Sequence, residues 1–134
     1  MERCAGAFVI NDDKVLLVKQ SEGHIGFPKG HIEGNEDEMS TAIRETKEET
    51  NIDIEILNKK RYQEEYHPKN NPSVLKKVTY FIARPLTFEL KEQVGEIRNT
   101  MWVTFDEAIN LLTYDEIRNL WIKVLKDITK KESN

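Results

Sequence analysis

The chain contains a single cysteine, Cys4, so it cannot form an intrachain disulfide. Cys4 lies in an apolar, strand-like opening stretch, where a buried structural thiol is expected rather than a reactive one. Long apolar runs are also missing: none approaches the roughly 20 residues of a membrane span. The start Met1-Glu2-Arg3-Cys4 has no apolar signal-peptide core, so a cytosolic protein without membrane contact is expected. With only 4 prolines, 6 glycines and no internal repeat, nothing marks a linker. A single domain across residues 1–134 is expected, large enough to bury a core without disulfides, with 129–134 reading as a fraying end. Excess positive charge is lacking too. Lys and Arg number 20 against 24 Asp and Glu, a net charge of −4, which excludes a global basic surface for nonspecific nucleic-acid binding. Any anionic ligand must be held locally.

Acidic side chains, by contrast, are concentrated in the segment 30–52, GHIEGNEDEMSTAIRETKEETNI. On a helix Glu45, Glu48 and Glu49 stand at i, i+3 and i+4 and share one face. Like charges at that spacing destabilise a helix by roughly 0.2–0.5 kcal/mol per pair, and a hard divalent cation is the simplest group to offset them. The plainer alternative is a solvated acidic face.

The flanking elements follow from periodicity and turn chemistry. Ala5–Ile10 and Lys14–Lys19 are apolar strands joined by the polar turn Asn11-Asp12-Asp13, and Ser21–Pro28 reads as a loop carrying His24 towards Lys29 and Gly30. A helix begins near Asp37 and Glu38, turns Met39, Ala42, Ile43 and Thr46 inward, and ends at Asn51. Ile52–Leu57 and Lys60–Tyr66 form a strand-like stretch, and His67–Pro72 is a turn or long loop. Leu75–Ala83 is a further strand broken by Arg84-Pro85, and Phe88-Glu89-Leu90 a short one. Glu96–Phe105 leads through Trp102-Val103 to a short helix capped by Thr104 or Asp106. A last helix from about Asp115 carries Ile117, Leu120, Trp121, Val124, Leu125 and Ile128 inward. Strands with helices interspersed in irregular order favour an α+β class, a mixed sheet with helices packed on it.

Gly30, Glu36, Arg44, Glu45, Glu48, Glu49 and Ile52 together resemble the Nudix hydrolase signature, Gly-x5-Glu-x7-Arg-Glu-U-x-Glu-Glu-x-Gly-U, where U is aliphatic. Thr46 stands where the pattern has an aliphatic residue, and Asn51 where it has the final glycine. A buried Thr46 hydroxyl needs a partner, while Asn tolerates positive φ. The resemblance implies the Nudix fold, an α/β/α sandwich with a mixed sheet flanked by helices. It also implies hydrolysis of a nucleoside diphosphate linked to another group, by water attack at phosphorus with Mg²⁺ or Mn²⁺. In that pattern Glu45, Glu48 and Glu49 are metal ligands, completed by a main-chain carbonyl of Lys29 or Gly30, and Arg44 holds the loop through Glu36 or a helix carboxylate. The water is activated by Glu48, Glu49 or a later-loop Glu, for which Glu96 is the candidate and Glu92 the neighbouring alternative.

Phe27–Glu33, Arg3–Gly6 and Lys76–Phe81 look like the asymmetric diadenosine tetraphosphate hydrolases within that family. That likeness implies contacts to the polyphosphate and adenine from His24, Lys29, Lys76 and Tyr114, with Tyr66 a second stacking residue. It points to diadenosine tetraphosphate cleaved to ATP and AMP. The alternatives are a Nudix pyrophosphatase acting on nucleoside triphosphates, oxidised nucleotides or RNA 5′ ends, and a non-catalytic nucleotide-binding Nudix module. A monomer or homodimer is expected.

Overall fold

Alternation along the first strand, β1 (Glu2–Asn11), separates the two faces of the molecule. Cys4 and Phe8 enter one apolar cluster, whereas Ala5, Ala7 and Val9 enter those on the opposite face. The computed structural model describes the backbone of residues 1–90 and 97–132, with side chains for all of these except 97, 98 and 130–132. The remaining strands are β2 (Lys14–Gln20), β3 (Ile25–Gly26), β4 (Lys29–His31), β5 (Ile54–Ile56), β6 (Tyr62–Tyr66), β7 (Lys76–Pro85) and β8 (Ile97–Thr104). The helices are α1 (Glu38–Thr50), α2 (Phe105–Leu111) and α3 (Asp115–Glu132).

The sheet is mixed. β7 runs parallel to β1 from Glu2↔Lys76 to Val9↔Ala83, while β2, β4, β5, β6 and β8 make antiparallel pairs with β1, β1, β7, β7 and β2 respectively. Asp12 takes φ 55 to close the β1–β2 hairpin. Gly6 allows β4 to lie against β1: a Cβ there would sit 2.2 Å from the Pro28 carbonyl oxygen. On one face Ala42 of α1 packs with Ala5 and Phe81; on the other, Ala108 of α2 and Trp121 of α3 join Phe8 and Tyr80 in one cluster. The result is the expected α/β/α layering.

Five details differ from the sequence expectation. The stretch from Ile52 to Tyr66 is two strands, β5 and β6, each paired separately with β7. β7 continues through Arg84-Pro85, because β1 stops pairing at Ala83 and the missing Pro85 N–H leaves no gap in that ladder. Phe88-Glu89-Leu90 is not a strand, and the segment around His24 carries the short strands β3 and β4. On α1, Ile43 is 40% exposed, whereas Thr41, Ala42, Thr46 and Thr50 are buried.

Both ends of α1 are held as expected. Asp37 Oδ1 accepts from the Ser40 N–H at 2.7 Å. Asn51 takes φ 68 as the C-terminal cap, and its N–H donates to the Lys47 carbonyl at 2.9 Å. Thr50 Oγ1 donates to the Thr46 carbonyl at 2.6 Å and accepts from the Ile52 N–H at 3.1 Å. The Thr46 hydroxyl is buried without a hydrogen-bond partner. Thr104 caps α2 in a reciprocal arrangement with Glu107.

Candidate functional site

Arg44 is the centre of the acidic cluster. Its Nε and Nη2 donate to the two oxygens of Glu36 at 2.7 and 2.9 Å, a bidentate pair. Nη1 reaches Glu45 Oε2 at 3.1 Å and Glu48 Oε1 at 3.2 Å, and Nη2 also donates to the His31 carbonyl at 3.0 Å. One guanidinium therefore ties the loop before α1, the strand β4 and two carboxylates of α1 together. Glu36 also accepts from the Glu33 N–H and the Thr41 hydroxyl, and with Arg44 these hold its carboxyl down at about 2.

Two of the three ligand candidates, Glu49 and Glu45, are partly withdrawn from water. Glu49 Oε1 accepts from the Lys29 N–H at 2.9 Å. Burial lifts the Glu49 carboxyl to about 7; the Lys29 N–H opposes this and the charge of Glu45 adds to it. Burial likewise raises Glu45, against the pull of Arg44 and with a further push from Glu48. Gly30 lets Glu45 approach this closely, since a Cβ on it would lie 1.9 Å from the carboxyl carbon of Glu45 and force that carboxylate to shift.

This donor set fits a hard divalent cation. Carboxylates that are buried and repel one another gain most from such a charge, and magnesium takes oxygen ligands. Glu45, Glu48 and Glu49 could hold it, with a main-chain oxygen of Lys29 or Gly30. Among the described residues no three His, Cys, Asp or Glu side chains already converge on one ion position. Arg44 draws Glu45 and Glu48 together instead.

Beside this cluster, on the face covered by α3, lies a cavity of about 80 Å³ lined by His24, Lys29, Glu64, Tyr66, Tyr80 and Tyr114. Three of the four proposed substrate contacts are thus brought together. The His24 and Tyr114 rings lie 5.9 Å apart, and the Lys29 ammonium donates to the Tyr66 hydroxyl at 3.1 Å. Burial pulls the Lys29 ammonium down, but Tyr66, Cys4 and Glu64 outweigh it, so it stays protonated. Burial also lowers His24, against Glu22. The fourth, Lys76, is not part of the lining and stands 3.8 Å from Glu2. Glu96 and its alternative Glu92 lie outside the described residues.

Glu64 was not singled out by the sequence. Its signal is the alternation of β6, which puts Tyr62, Glu64 and Tyr66 on one face, so that a carboxylate lies between two aromatics. Tyr80 enters from the neighbouring strand, where it pairs with Tyr62.

Comparison with known proteins agrees with this geometry. A family profile described as NUDIX domain matches residues 2–125. The chain is 36% identical over 96 residues to the bis(5′-nucleosyl)-tetraphosphatase [asymmetrical] of Caenorhabditis elegans, covering 69% of this chain and 67% of that one. It is 32% identical over 114 residues to Nudix hydrolase 2 of Arabidopsis thaliana, covering 78% of this chain but only 40% of the relative's length. A crystal structure of a C. elegans Ap4A hydrolase binary complex superposes with a TM-score of 0.83 at 28% identity, covering 97% of this chain and 99% of that one.

Proposed function

From the premise that this chain belongs to the NUDIX domain family, we propose that it is a divalent-metal-dependent hydrolase of dinucleoside polyphosphates. In this reading diadenosine tetraphosphate is cleaved to ATP and AMP by water attack at phosphorus. A single observation carries it. Lys29 joins an acidic cluster to an aromatic cavity, its N–H on Glu49 and its ammonium on Tyr66. Carboxylates suited to a cation and a cavity suited to a nucleoside are thus one residue apart.

When bound, Mg²⁺ or Mn²⁺ would neutralise phosphate charge and lower the pKa of a water molecule. The residues of the chain then divide the work. Glu45, Glu48 and Glu49 hold the cation, and Arg44 keeps Glu45 and Glu48 in place through its contacts to both. Glu48, Glu49 or Glu96 takes the proton from water. His24 and Lys29 meet phosphate oxygens, and Tyr66 and Tyr114 offer faces to the base.

The test is product analysis in ¹⁸O water with Mg²⁺. ATP and AMP are expected from diadenosine tetraphosphate, with Glu48→Gln losing on the order of 100-fold or more in rate while remaining folded. Faster hydrolysis of nucleoside triphosphates, or an unchanged rate in Glu48→Gln, would overturn this reading.

A further inference from the structure

We propose that Glu64 determines base specificity: its carboxylate accepts a hydrogen bond from an N–H on the edge of a nucleobase lodged among Tyr66, Tyr80 and Tyr114. This rests on the reading of the cavity as a nucleoside site. Glu64 is half-buried in the cavity wall beside Tyr66, Tyr80 and Tyr114, where an ionised group is costly unless its acceptor sites are filled. An ionised carboxylate has about four such sites. The hydroxyl of Tyr80, itself only 1% exposed, favours the ionised form from nearby. Among the described residues Glu64 has no ion-pair partner within 4.0 Å. The ammonium of Lys29 attracts it from across the cavity but is engaged with the Tyr66 hydroxyl. Acceptor capacity therefore remains for a ligand.

Charge settles which end of the ligand comes here. A phosphate chain is repelled by Glu64 and drawn to Lys29, while a base brings N–H donors that a carboxylate accepts. Burial, with the charge of Glu116 and against Lys29, lifts the Glu64 carboxyl to about 7. The experiment is accordingly run at pH 8.5.

Calorimetry would compare ATP with purine riboside 5′-triphosphate, which lacks only the amino group, in the Glu48→Gln background that suppresses turnover. ATP is expected to bind about tenfold tighter or more, and adding Glu64→Leu should bring the two within about twofold. Equal binding before that change, a preference that survives it, or no binding of either nucleotide would overturn the proposal. If Glu64→Leu does not fold, the first comparison still decides. Hydrolysis of diadenosine tetraphosphate by the unaltered chain, measured separately, reports on the proposed function: its failure with the binding preference intact would sink that reading and leave the base contact standing.

Discussion

Thr46 has the only buried side-chain polar atom without a hydrogen-bond partner among the described residues. Its hydroxyl faces the core in the middle of α1, a place where an unmade bond costs about 1–3 kcal/mol. Thr46→Val keeps the shape and removes the orphan, so it is expected to stabilise the fold by about 1 kcal/mol, read as a higher urea midpoint at unchanged slope. The departure at Thr46 was legible in the sequence because the family pattern asks for an aliphatic residue there. Glu64 was not, since an acidic residue inside an alternating strand normally faces solvent. Only the pairing of β6 with β7 turns it towards Tyr80. Arg44 lies between these cases. The family pattern implied that it pairs with Glu36 or a helix carboxylate, but its contact with the His31 carbonyl depends on where β4 runs.

Strand β4 and helix α1 form one working element, and Gly30 is where they touch. Gly30→Ala would push a methyl group into the Glu45 carboxylate and displace it from its place beside β4. Circular dichroism is expected to show the helix retained while hydrolysis falls by on the order of 100-fold. A variant with unchanged turnover would show that the Glu45 carboxylate can move aside. The limits of α1 followed from local chemistry, Asp37 at one end and Asn51 at the other, because capping depends on a few adjacent atoms. Its inner face did not. Helical periodicity accepts either Ile43 or Thr41 near the stripe, and the choice falls to the small residues because Ala5 and Phe81 lie directly beneath. Pro85 shows the same limit for a strand: proline breaks a ladder only where a partner strand still needs its N–H.

At the scale of the whole molecule, the layers and the mixed sheet could be read from alternating and helical periodicities, but the strand order could not. That order depends on long-range pairings such as β1 with β7, which no local pattern encodes. The Arg44 contacts join loop, strand and helix, so their loss should be felt globally in acid. The Glu36 carboxyl is held at about 2, below its ordinary 4.5, so its contribution is complete above about 4.5 and fades as the pH falls towards 2. Denaturant titrations of the unaltered chain and of Glu36→Gln are expected to differ most at neutral pH and to converge across that interval. A gap that widened on acidification would contradict this assignment. Lys29 has a different consequence. Its main chain fixes Glu49 and its side chain fixes Tyr66, so under the proposed reading it acts as a caliper. The gap between base and cleaved bond is set by the reach of one side chain, so a ligand is admitted by the number of its links as well as by their chemistry.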